Sequence, residues 1–118
     1  MRVLVVDDNE ELLQFFLLTL EDSGIEATGA KNSQDGLAKV AAEKFDVAVI
    51  DSTLGDTDGI DCAQQMRGLK NGKNIKILIM SAFATPLARR MALGVGCNDI
   101  IVKPCSADKW LDCIRKLG

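Results

Sequence analysis

Four short runs of uninterrupted apolar residues, Val3–Val6, Val47–Ile50, Ile77–Met80 and Ile100–Val102, recur along this chain between longer stretches of helical periodicity. A strand that faces water on one side alternates apolar with polar residues, whereas a strand covered on both faces does not. These runs therefore predict buried strands. A fifth segment, Ile25–Gly29, does alternate and predicts a strand at an edge.

Amphipathic segments lie between them, at Asn9–Asp22, Ser33–Glu43, Asp58–Lys70, Thr85–Val95 and Ser106–Leu117. The first places Leu12, Leu13, Phe16, Leu17 and Leu20 on one stripe, and the last does the same with Leu111, Ile114 and Leu117. Ser33 and Ser106 stand where a hydroxyl can accept from free N–H groups of a first turn, and Pro86 follows the capping hydroxyl of Thr85. Gly94–Gly96 reads as a helix C-terminus, and Lys70–Lys76 as a polar turn. Strand and helix thus alternate five times, and crossovers of this length require parallel pairing with right-handed connections. The expected fold is α/β, a single doubly wound (βα)5 sandwich over residues 1–118.

Composition excludes several functions. The 118 residues are 47% hydrophobic and 26% charged, which suits one domain with one core. Fourteen Lys+Arg against 17 Asp+Glu give a net charge of -3, so no broad basic surface is available for direct nucleic-acid binding. The apolar runs fall far short of the roughly 18 to 20 residues a membrane span needs. MRVLVVDD also lacks the apolar region of a signal peptide, so a cytoplasmic location without membrane attachment is expected. Cys62, Cys97, Cys105 and Cys113 form no Cys-x-x-Cys pair and the chain has no histidine. They read as reduced, mostly buried thiols, with a redox or metal role as the alternative.

In a doubly wound sheet, ligands sit beyond the carboxyl ends of the strands. Strand one ends on Asp7 and Asp8, strand three on Asp51, strand four on Ser81, and strand five on Lys103 followed by Pro104. Gathered carboxylates repel one another where the dielectric is low, so the set calls for a cation. Oxygen ligands without His or Cys favour Mg²⁺ or Mn²⁺, which keeps waters and shares a phosphate oxygen. A lysine and a serine hydroxyl at the same edge complete a phosphate trap. Asp51 is the candidate nucleophile on phosphorus, because it ends the central strand VAVID and precedes the loop STLGDTDG. Taken singly these residues have plainer readings: Asp7 and Asp8 as an acidic helix start, Ser81 and Lys103 as surface structure. Their joint occurrence at four of five strand ends favours chemistry.

The segments VLVVDDNEEL, FDVAVIDSTLGDTDG, ILIMSA and IIVKP together resemble the response-regulator receiver family, the CheY-like domains, over the whole chain. The resemblance implies a flavodoxin-like strand order 2-1-3-4-5 and phosphorylation of Asp51 by a histidine kinase or histidine phosphotransfer protein. It further implies that Asp8, Asp51 and the Thr53 backbone carbonyl bind Mg²⁺ directly, with Asp7 acting through water. Lys103 would pair with the phosphoryl group, Ser81 would swing in to it, and the Lys103–Pro104 peptide would be cis. A downstream protein partner or output domain, or a homodimer, would read the switched face made by the fourth helix, fifth strand and fifth helix. No separate substrate turnover is expected.

Three positions depart from the family pattern. Ile100 stands where an inward-turning Tyr or Phe is common, Gly55 replaces a loop proline and gives that loop more backbone freedom, and Phe83 offers a bulky apolar group where the attacking water must pass. Phe83 and Thr53 occupy positions that influence dephosphorylation, so slow self-hydrolysis is expected. Trp110 reads either as core edge or as a contact residue, and Asp108, Lys109, Asp112, Arg115 and Lys116 as a solvated face. Two other functions compete. One is an interaction module that keeps the fold without the chemistry. The other is an enzyme on a related fold, for which a phosphatase lacks its second Asp at Thr53 and a nucleotide site lacks a Gly-rich loop at DDNEE.

Overall fold

The computed structural model describes residues 1–82, 85–103 and 105–118. The expectations for Phe83 and for the Lys103–Pro104 peptide lie outside the described residues. Five parallel strands, β1 (Arg2–Val6), β2 (Glu26–Ala30), β3 (Val47–Asp51), β4 (Lys76–Ser81) and β5 (Asp99–Val102), form one sheet in the order 2-1-3-4-5. Five helices connect and cover them: α1 (Glu10–Asp22), α2 (Ser33–Ala42), α3 (Gly59–Arg67), α4 (Pro86–Gly94) and α5 (Ala107–Leu117). The alternating segment is indeed an edge strand, β2, and β5 forms the other edge.

Successive strand residues point to opposite faces, so each apolar run supplies two cores. Leu4, Val6, Ala48, Ile50, Ile77, Ile79 and Ile100 pack under α2, α3 and α4 with Val40, Cys62, Met66 and Ala92. Val3, Val5, Val47, Val49, Leu78, Met80 and Ile101 pack under α1 and α5 with Leu13, Leu20, Trp110 and Ile114. Trp110 is therefore core, stacked on Phe16 at 4.7 Å between centroids. Leu12, placed on the buried stripe by periodicity, is instead exposed; Phe15 and Leu18 are also exposed.

The helix starts follow side-chain capping, with one reassignment. Thr85 and Ser106 cap α4 and α5 by accepting from the backbone N–H groups of Ala88 and Lys109. At α2 the cap is Asn32, which accepts from Asp35 N–H, and Ser33 is the first helical residue. Asn and Ser are near-equal caps in isolation, so propensity alone does not choose between them. α4 ends at Gly94, and Gly96 follows with φ +97°, a backbone conformation that suits glycine. α3 stops at Arg67, earlier than the periodicity suggested, and Lys70–Gly72 forms a short 3-10 turn.

Candidate functional site at the carboxyl end of the sheet

Register brings the strand ends level. Val6 pairs with Ile50, Ile50 with Ile79 and Ile79 with Ile100, so Asp7 follows one residue beyond at the height of Asp51. Lys103 N–H donates to the Ser81 carbonyl at 2.8 Å, which prolongs the β4–β5 pairing past Val102 and delivers the lysine to the same edge. Asp7, Asp8 and Asp51 each offer a carboxylate oxygen, and these oxygens lie within 4.8 Å of one another. Lys103 Nζ donates to Asp51 Oδ1 at 2.8 Å.

The plainer reading of the acidic pair as a helix cap does not describe what is seen. Asn9 caps α1, accepting from Leu12 N–H at 3.1 Å, while Asp7 Oδ1 accepts from Asn9 N–H at 2.9 Å. Asp7 is buried, and among the described residues its Oδ2 has no hydrogen-bond partner. Burial pushes the Asp7 carboxyl above its usual range; the Asn9 N–H opposes this, and the neighbouring Asp51 and Asp8 charges reinforce it. A buried carboxylate oxygen without a donor, beside two more carboxylates, is a site that a hard cation would satisfy. The donor set fits Mg²⁺: oxygen ligands only, with Asp7, Asp8 and Asp51 placed to hold it.

The loop after Asp51 is built closely against the strand end. Ser52 N–H donates to Met80 O at 2.7 Å, Gly59 N–H to Ser52 O at 2.8 Å, and Thr53 bridges Asp58 in antiparallel fashion. A Cβ on Gly59 would lie 2.2 Å from the Asp51 carbonyl oxygen, so only glycine lets α3 begin this near the phosphoacceptor candidate. Gly55, expected to loosen this loop, sits beside Asp8 in a tip whose neighbour Asp56 reaches across to α2. Ser81 is buried at the end of β4, and Ile100 is buried in the core beneath α4.

The family model described as the response regulator receiver domain matches residues 3–115. The chain belongs to this family. Among relatives, the alginate biosynthesis transcriptional regulatory protein AlgB of Pseudomonas aeruginosa is 32% identical over 108 residues, covering 92% of this chain and 24% of AlgB. The receiver thus spans about a quarter of that regulator's length. The receiver domain of Francisella response regulator 1452 superposes with a TM-score of 0.89 at 30% identity, over 98% of this chain and 94% of that one. Chemotaxis protein CheY4 of Vibrio cholerae superposes with a TM-score of 0.95 at 26% identity, over 99% of this chain and 98% of that one.

The receiver's carboxyl edge holds together what the strand ends predicted, namely Asp7, Asp8, Asp51 and Lys103. Asp56 was missed. Its signal was present, an acidic residue in the loop and an Asn-Ser helix start, but nothing local ties residues 23 positions apart. Elsewhere the four cysteines are free thiols; burial pushes Cys62 up to about 12 and Cys97 up to about 11, so neither is an activated nucleophile. No helix among the described residues is long and apolar enough to cross a membrane.

Proposed function

We propose that this receiver accepts a phosphoryl group on Asp51 from a phosphohistidine of a histidine kinase or histidine phosphotransfer protein. The observation that carries the reading is the Lys103–Asp51 contact of 2.8 Å inside a crevice whose other carboxylates are Asp7 and Asp8. An Asp51 carboxylate oxygen attacks phosphorus as the bond from phosphorus to the donor nitrogen breaks, and the donor nitrogen keeps that electron pair. Lys103 exchanges a carboxylate oxygen for a phosphoryl oxygen, and Ser81 donates to another. Asp7, Asp8, Asp51 and the Thr53 carbonyl are the groups that would hold Mg²⁺, and the ion would supply charge neutralisation at the transferring group. The chain itself has no histidine, so these 118 residues cannot supply the donor.

Phosphorylation adds about -1.5 to -2 charge and three acceptor oxygens to a crevice already rich in carboxylate. Lys103 and Ser81 respond at the ends of β5 and β4, and the shift is read on the face formed by α4, β5 and α5. That face exposes Leu87, Met91 and Val102, apolar groups suited to a protein partner, an output domain or a second copy. Ile100 is already packed inward, so relay proceeds without an aromatic swing. From residue type and sequence position alone, Phe83 is assigned to slowing hydrolysis of the aspartyl phosphate.

The test is mass spectrometry of the intact chain after incubation with acetyl phosphate and Mg²⁺. Wild type should gain one phosphoryl group, and Asp51→Asn none. A wild-type chain that stays unmodified would favour the interaction-module reading instead.

A further inference from the structure

Asp56 lies at the tip of the loop between β3 and α3, and its carboxylate crosses to the start of α2. Oδ1 accepts from Ser33 N–H at 3.1 Å, and Oδ2 accepts from the Ser33 hydroxyl at 2.8 Å and from Gln34 N–H at 3.2 Å. α2 already has its own cap in Asn32, so this second carboxylate is not required to start the helix. The two bases of the loop are fixed separately, by Ser52 on Met80 and by Gly59 on Ser52, and Leu54 is buried in the core. Leu54 N–H donates to Thr57 O at 3.1 Å to close the tip as a turn, and Gly55 within it passes beside Asp8 Oδ2.

We propose that Asp56 is a positioning residue for the metal- and phosphoryl-binding crevice: seated on the first turn of α2, it fixes the loop segment that carries Thr53 and Gly55 over Asp8. The inference rests on the phosphoacceptor reading above and deepens it. Three donors converge on one carboxylate, two of them N–H groups at the positive end of a helix, and such charge-assisted bonds are the stronger kind. The same bonds hold the Asp56 carboxyl below its usual range, with the Ser33 N–H foremost and the Ser33 hydroxyl next. With no proline in the loop, this tether supplies the restraint from outside. It also makes α2 the element that feels any movement of the tip when the crevice fills.

Mg²⁺ affinity, by calorimetric titration, and the rate of phosphorylation by acetyl phosphate at subsaturating Mg²⁺ test this in wild type, Asp56→Ala, Asp56→Asn, Ser33→Ala and Asn32→Ala. Outer partners of metal ligands typically cost 10 to 100-fold when removed, and this one acts a step further out, so Asp56→Ala should weaken Mg²⁺ binding roughly three- to tenfold. Ser33→Ala should share part of that loss, and Asp56→Asn, which keeps one acceptor oxygen, should recover part of it. Asn32→Ala should lower the unfolding midpoint while leaving Mg²⁺ affinity near wild type, which separates positioning from helix stability. Wild-type affinity in Asp56→Ala, or an equal loss in Asn32→Ala, overturns the inference while the phosphoacceptor reading stands. A wild-type chain that neither binds Mg²⁺ nor takes up phosphoryl overturns both.

Discussion

At the amino end of the sheet Arg2 pairs with Glu26 and Glu43, donates its backbone N–H to Asp46 and lies over the Phe45 ring, whereas at the carboxyl end three carboxylates converge and Lys103 bonds one of them. Arg67 extends the first pattern. From the end of α3 its guanidinium donates to the carbonyls of Gly72, Ile75 and Gly96 and to the Asn98 side chain, joining the starts of β4 and β5. One end of the sheet thus spends its charges on holding strands together. The other keeps like charges close, with a buried Asp7 oxygen that finds no donor among the described residues. Such an arrangement costs stability unless something binds there, and it is the arrangement a cation and a phosphoryl group would satisfy.

The contrast breaks most visibly at Lys103. Replacing it with Ala leaves the Asp51 charge without its ammonium, and removal of one preorganised electrostatic group of this kind slows chemistry by roughly a hundredfold. Lys103→Ala should therefore take up phosphoryl from acetyl phosphate about that much more slowly while still binding Mg²⁺. Stopped aliquots analysed by intact mass would show it. An unchanged rate would reduce the lysine to a structural ion pair.

Arg67→Ala probes the opposite end. Hydrogen bonds to a charged donor contribute about 1.5 to 3 kcal/mol when measured by removal, so urea unfolding should show a loss of about 2 kcal/mol. Phosphorylation should stay within about twofold of wild type, since distant sites act independently. A variant that loses both equally would erase the distinction between the two ends.

The smallest effect is expected at Asp7. Burial raises its folded carboxyl above the unfolded value, so the folded state binds that proton more tightly. In metal-free protein its contribution to stability is therefore greatest at low pH and is lost as pH climbs through the raised value. Asp7→Asn should be more stable than wild type in EDTA at neutral pH, with the gap closing as pH falls toward about 4. Denaturant curves at several pH values would reveal it. A constant gap would mean that charge burial is not the cause.

Strand positions and the residues gathered at their ends were legible because both are local. An unbroken apolar run must be covered on both faces, and the next residue must emerge at the sheet edge, which is how Asp7, Asp51, Ser81 and Lys103 could be placed from spacing alone. Tertiary choices were not legible. Asn32 and Ser33 cap almost equally well, and Asp56 engages Ser33 only because the β3–α3 loop folds back over α2. Leu12 fits the apolar stripe of α1 by angle, yet it is exposed in the fold. Trp110 could be assigned only once Phe16 was seen against its ring.

Reductive trapping of the phosphorylated wild-type chain tests the central claim most directly. Borohydride cleaves an acyl phosphate and leaves homoserine in place of the aspartate, which peptide mass spectrometry can locate. After acetyl phosphate and Mg²⁺, the change should fall at Asp51; reduction at Asp7 or Asp8, or at no position, would contradict the account.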